Sequence, residues 1–204
     1  MRRILSILLI VMMLIGALTI PVGAVESATE NINKTLNTSK GGYDSYLSEK
    51  PEVSYFEDVK VAELAGGFPK LLEAENTMDM TVSVEADGWY EFYIKYSSVA
   101  SGEFALKLSI DGKSPFAEAE KLSFPSYWIN SGKTRYDNNG NQVAPEQVLY
   151  SEETKVAARD YIGVEENPYR FYLTAGNHKI SLYLLYGKVE VKGAEFVSVS
   201  SVSD

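Results

Sequence analysis

Apolar residues are distributed along this chain in two different ways. Residues 4–20 form a nearly unbroken run of Leu, Ile, Val and Met, whereas from Tyr43 onward apolar positions alternate with polar ones. The alternation is clearest in Gly88-Trp89-Tyr90-Glu91-Phe92-Tyr93-Ile94-Lys95-Tyr96, where Tyr90, Phe92, Ile94 and Tyr96 interleave with Glu91, Tyr93 and Lys95. A period of two predicts a strand with one buried face. Phe104, Leu106, Leu108 and Ile110 repeat the pattern, and Asp111-Gly112 ends that strand with a turn signal. Residues 169–173 lead through Ala175-Gly176-Asn177 into a strand carrying Ile180, Leu182 and Leu184, and residues 189–197 supply the last one. Residues 58–61 and 80–84 are shorter candidates. Helical periodicity is scarce, with only residues 116–121 and 152–158 reading as single turns. The pattern predicts about six to eight strands in an all-β domain, an antiparallel β-sandwich of the jelly-roll kind in preference to a small barrel.

The first apolar run belongs to a different part of the molecule. Arg2 and Arg3 precede it, Pro21 breaks it, and Val22-Gly23-Ala24 offers small residues for cleavage, so residues 1–24 are expected to be a signal peptide. The alternative is an uncleaved membrane tether, because the run is nearly long enough to span a bilayer. Residues 25–42 carry no aromatic residue and few apolar ones, which predicts a disordered tether. Every aromatic residue lies at or after Tyr43. Residues 43–198 are therefore the expected sandwich domain, and residues 199–204 a tail.

Composition then removes whole classes of chemistry. With no cysteine there is no disulfide framework, thiolate metal site, cysteine nucleophile or lipid anchor on cysteine. The formal charge of −9 disfavours nucleic acid, whose phosphates need clustered Lys and Arg. Loss of Arg2 and Arg3 on export makes the balance more acidic still. No G-x-S-x-G elbow, phosphate loop or H-E-x-x-H motif occurs, and no pair among the 28 acidic residues is singled out for glycoside hydrolysis. The chain is read as non-catalytic and no cofactor or metal is implied.

Residues 115–168 are irregular, with short strand candidates at 121–129 and 147–150, and a connection of that length in a compact sandwich points to a functional loop system. Within it, Tyr127, Trp128, Tyr136, Asp137, Asn138, Asn139 and Asn141 place aromatic faces beside amide and carboxylate groups. Sugars need that mixture, because a pyranose C–H face stacks on a ring while its hydroxyls pair with Asn and Asp. Turn chemistry alone also accounts for Asp137-Asn138-Asn139-Gly140-Asn141, and Trp128 could equally close one end of the core. The same oxygen-rich loop lacks EF-hand spacing. Glu73-Ala74-Glu75 would put two carboxylates on one side of a strand, for calcium or simply as an exposed acidic face. His178 falls at a hairpin start, is the only histidine, and is read as a surface turn residue without chemistry.

Several of these segments, taken together, resemble a known family. GWYEFYIKYSS, FALKLSIDGKSPF at 104–116 and YRFYLTAGNHKISLYLLYGKVEVKGAEF at 169–196 resemble galactose-binding-like β-sandwich domains, the jelly-roll kind found in many carbohydrate-binding modules. Leu122-Ser123-Phe124-Pro125-Ser126-Tyr127-Trp128, the 137–141 loop, Pro145-x-Gln147 and Asn167-Pro168-Tyr169-Arg170-Phe171-Tyr172-Leu173 are similar to the N-terminal region of large extracellular solute-binding proteins of Gram-positive ABC sugar importers. In order, these motifs cover about residues 88–196. In those proteins a long α/β solute-binding portion follows the sandwich and has no counterpart in this sequence, so the resemblance implies only a sugar surface around Trp128 and residues 136–142. The expected protein is extracellular or cell-surface, binds carbohydrate, and has a solute-binding protein or permease as its further partner. A structural or protein-docking module is the alternative, and a polysaccharide-active enzyme the third reading.

Overall fold

The computed structural model describes residues 42–50, 56, 58–161 and 167–199; the predicted signal peptide, most of the tether and residues 200–204 of the tail lie outside them. The first element is a helix, α1 (Gly42–Ser48), followed by β1 (Val61–Glu63), β2 (Lys70–Glu73), β3 (Thr77–Val84), β4 (Gly88–Ser98) and β5 (Phe104–Ile110). A 3-10 turn at Ala117–Glu120 leads to β6 (Leu122–Phe124), β7 (Trp128–Ser131), β8 (Arg135–Tyr136), β9 (Gln142–Val143), β10 (Glu146–Leu149) and β11 (Thr154–Ala157). The last strands are β12 (Arg170–Leu173), β13 (Gly176–Tyr186) and β14 (Lys188–Ser198). All pairings between these strands are antiparallel.

A six-stranded sheet centres on β14 and β4, with β1 and β2 sharing the outer edge of β14 and β11 and β12 sharing the outer edge of β4. The facing sheet runs β3-β13-β5-β6. Between them lie the residues that the alternation marks as inward: Met78, Met80, Val82 and Val84 of β3, Tyr90, Phe92, Ile94 and Tyr96 of β4, and Ile180, Leu182 and Leu184 of β13. Burying each large side chain contributes about 1.5–3 kcal/mol, which is how a chain without disulfides holds its core. In β14 the inward set changes parity, from Val189 and Val191 to Ala194 and Phe196, because the register to β4 slips between Val191 and Gly193. A bulge of one residue restores the apolar face that an unbroken period of two would turn outward.

The strands predicted at 88–96, 104–110 and around 180–184 form, with the first and third longer than the pattern indicates. Fourteen strands occur among the described residues, more than expected, because residues 115–168 contain β6 to β11. Residues 152–158 are not a helical turn but hold β11, whose Val156 and Ala157 pair with Ile94 and Tyr93; sheet pairing overrides the local helix preference of Glu, Lys and Ala. Residue 42, assigned to the expected tether, begins helix α1. Val199 is likewise tied down, its N–H donating to the Trp89 carbonyl at 2.9 Å.

Helix α1 guards an edge. Strand β12 pairs with β4 on one side only, so its outward N–H groups need partners. Tyr43 and Tyr46, three apart on one helix face, supply them: their hydroxyl oxygens accept from the N–H of Arg170 at 3.0 Å and of Tyr172 at 2.7 Å. Both rings are buried against Phe116, and burial pushes the Tyr46 hydroxyl up to about 12. Gly42 lets the helix approach the 3-10 turn, since a Cβ there would lie 2.4 Å from the Ala117 Cβ. Tyr46→Phe is expected to leave the Tyr172 N–H buried without an acceptor and to cost about 1–3 kcal/mol, read as a lower urea midpoint with unchanged m-value.

His178 departs from its expected place as a surface turn residue. It lies within β13, its side chain 11% exposed, with Nδ1 at 2.7 Å from Asp111 Oδ2 and Nε2 at 2.8 Å from the Thr174 carbonyl. Asp111 also accepts the Lys179 N–H at 2.8 Å. Both ring nitrogens face acceptors, an arrangement only the doubly protonated imidazolium satisfies. Burial opposes that charge, but the Asp111 carboxylate and the Thr174 carbonyl outweigh it and raise the pKa above 6.5. The stabilisation is complete below the unfolded-state value and is lost as pH rises through the folded one. Asp111, held below its ordinary value chiefly by His178, contributes above about pH 4 and loses its contribution as pH falls further. Urea titrations should show wild type losing stability from pH 6 to above the folded His178 value, and His178→Gln should show no such decline.

Candidate functional site

The candidate site is built outward from the core strand β4. The Tyr96 hydroxyl, buried, donates to the Pro125 carbonyl at 2.6 Å, and the Ser126 hydroxyl donates to the Gly102 carbonyl. These two bonds hold the segment leading into β7. The Tyr127 carbonyl then accepts the Tyr150 N–H at 2.9 Å, and β7 pairs with β10 through Trp128↔Leu149, Ile129↔Val148 and Asn130↔Gln147. On this ribbon the period of two places Trp128 and Asn130 on one face and Ile129 with Val148 on the other. Trp128 is 49% exposed, so it does not close the end of the core.

Trp128 stands at an open cleft of about 290 Å³ lined also by Glu103, Ser123, Pro125, Ser126 and Tyr161. Tyr161 comes from the segment after β11, and its hydroxyl donates to the Ala157 carbonyl at 3.3 Å. Burial and the neighbouring Tyr127 push that hydroxyl up to about 12, so it remains a neutral donor. A second cleft, of about 470 Å³, is lined by Glu103, Ser123 and Tyr161 together with Glu118, Lys121, Arg159 and others. Here Glu103 accepts the Tyr186 hydroxyl at 2.7 Å, the Lys121 ammonium lies 5.4 Å from the centre of the Tyr186 ring, and the Arg159 guanidinium lies 5.8 Å from that of Tyr161. Glu118 Oε2 is shut off from solvent without a donor.

The remaining predicted residues are placed elsewhere. Tyr136, 67% exposed, sits on the β8–β9 hairpin with Asp137, Asn138, Asn139 and Asn141, and these line neither of the two clefts described. Asp137 is occupied by its own turn: Oδ1 accepts the N–H groups of Asn139 and Asn141, each at 2.8 Å, and Oδ2 accepts the Asn141 side-chain amide at 3.0 Å. The Asn141 amide, with those backbone donors, holds the carboxyl below its usual range. Of the expected set, then, Trp128 lines one of the two clefts described, whereas Tyr127, 39% exposed, and the hairpin residues line neither. Glu73 and Glu75 do not share a strand face either. Glu75 lies in a turn at φ +69°, and Glu73 pairs with Lys188 at 2.7 Å. Among the described residues no group of three or more His, Asp or Glu is arranged to hold a metal ion.

Glu103, Ser126 and Tyr161 were not singled out from the sequence. Tyr161 carried a weak signal as a further aromatic in the irregular region, but Glu103 and Ser126 reach the cleft only through the fold.

No family model matches this chain, and no curated protein matches it. Similar solved structures include a family 35 carbohydrate-binding module from an environmental isolate, at 10% identity and TM-score 0.37, covering 74% of this chain and 98% of that one. A native family 35 module from Clostridium thermocellum aligns at 11% identity and TM-score 0.32, over 74% and 99%. The Podospora anserina GH26-CBM35 β-(1,4)-mannanase aligns at 12% identity and TM-score 0.37 over 73% of this chain, which spans only 26% of that enzyme. Similarity this low transfers no ligand or activity.

Asp137→Ala should raise amide hydrogen exchange at Asn139 and Asn141 by about tenfold while leaving Trp128 fluorescence unchanged, because the hairpin turn and the cleft are separate units.

Proposed function

We propose that this chain is an exported, non-catalytic carbohydrate-binding module that acts at the cell surface, assisting sugar capture beside an ABC-type importer. The placement of Trp128 carries the carbohydrate reading: a half-exposed indole on a hydrogen-bonded ribbon, at an open cleft that also presents Ser123, Ser126, Glu103 and Tyr161. An indole stacks on the C–H face of a pyranose, and hydroxyl and carboxylate groups around it pair with sugar hydroxyls. Because the ribbon and the Tyr96 and Ser126 bonds already hold this segment, little ordering cost remains for binding. Export rests on the Arg2-Arg3 charge ahead of the apolar run, with membrane tethering as its alternative, and the importer association rests on the motif resemblance across residues 88–196. Protein docking is the second reading, favoured by Ile129 and Val148, a cross-strand pair exposed on the opposite face of the ribbon.

Affinity electrophoresis across a polysaccharide panel tests this. Wild type should be retained by at least one glycan, and Trp128→Ala, with its circular dichroism unchanged, should bind at least about tenfold more weakly, or about 1.4 kcal/mol. Equal retention of the two proteins overturns the site. A wild type that ignores every glycan but captures a membrane-extract protein selects docking.

A further inference from the structure

The cleft at Trp128 adjoins the larger one, whose lining shares Glu103, Ser123 and Tyr161 with it, and the two together are the groove. Its two ends differ in chemistry. At one end Trp128 and Pro125 present mainly apolar surface, and at the other Glu118, Lys121, Arg159 and Asp160 present charge of both signs. We infer that this groove takes a linear, neutral oligosaccharide laid through it along the chain, in place of a single sugar or a chain end. The inference rests on the carbohydrate reading above and specifies its ligand.

Size supports more than one ring. The larger cleft alone, at about 470 Å³, falls in the range of roughly 300–1,000 Å³ that drug-sized ligands occupy, and the smaller, adjoining it, has about 290 Å³. Aromatic surface is repeated along the groove as well. Trp128 offers one platform and the exposed part of the Tyr161 ring, which has the Arg159 guanidinium over one face and its hydroxyl anchored to Ala157, offers a second, which suits successive rings of one chain. Charge argues for neutrality. Glu103, Glu118 and Asp160 outnumber Lys121 and Arg159 in the lining, both cations lie over aromatic rings, and the whole chain carries −9. An acidic glycan would meet repulsion there, whereas uncharged hydroxyls donate to the carboxylates and accept from the cations.

Isothermal titration of the full domain with gluco-, manno-, xylo- and galacto-oligosaccharides, monomer to hexamer, alongside galacturonate oligomers of the same lengths, tests the inference. At least one neutral series should gain about tenfold or more in affinity from monomer to tetramer, and borohydride reduction of the chain end should not change it. Galacturonate oligomers should bind more weakly than neutral ones of equal length. Tyr161→Ala should flatten the length dependence, while Tyr161→Phe, which keeps the ring, should preserve it, both variants first matching the wild-type thermal melt. Monomer binding equal to tetramer, loss of binding on end reduction, or preference for galacturonate each overturns the groove while leaving carbohydrate binding intact. Absence of binding to every oligomer overturns the carbohydrate reading and this inference together.

Discussion

The sandwich depends on the antiparallel pairing of β4 with β14. Every other strand of the six-stranded sheet attaches to one of these two, and their inward side chains, Tyr90 to Tyr96 and Val189 to Phe196, line one wall of the core. The pair joins residues about a hundred positions apart, so its closure is a long-range event that the local hairpins cannot replace. On its outer face Glu195 of β14, almost wholly buried, accepts from Lys95 of β4 at 2.6 Å and from Lys155 of β11. Burial would push that carboxyl up, but the two ammonium groups outweigh it and hold it low, tying three strands together where a lone carboxylate would be costly.

The two sides of the sandwich are finished differently, and function is read from the contrast. On one side, the Ala65 and Thr81 backbones exchange hydrogen bonds while the Leu64 N–H reaches the Ala194 carbonyl, so residues 64–65 join the two sheets. Elsewhere, the β12 edge is covered by two tyrosine hydroxyls from α1, and beside β6 the groove stays open to solvent. Tyr96 couples that groove to the core. Its ring packs on Phe104 and Phe124 while its hydroxyl fixes Pro125, so the position of Trp128 follows from core packing as well as from its own ribbon.

How much could be read from the chain itself varied with the length of its pattern. Strands β4, β5 and β13 were legible because each buries one face over several consecutive pairs of residues, and burial then dictates the alternation. Short strands such as β8 and β9 are exposed along their length and bury too little for a period to show. Helix α1 lies in a stretch too short for helical periodicity, and what holds it is the unsatisfied edge of a strand more than a hundred residues away. Half of the site suffered the same fate. Trp128 announced itself by residue type, whereas Glu103 and Tyr161 join it only because β5, β6 and the segment after β11 converge.

The sequence by itself determined an acidic, cysteine-free, all-β sandwich, because hydrophobic periodicity and charge are local properties of the chain. Only the tertiary structure decided which polar residues are free to act. Asp137, conspicuous in the sequence, spends its hydrogen bonds on its own turn; His178 spends both ring nitrogens joining the turn after β5 to the segment before β13; Trp128 keeps half its surface for solvent. Whether a polar or aromatic side chain is satisfied internally depends on partners brought near by folding, and no spacing along the chain encodes that.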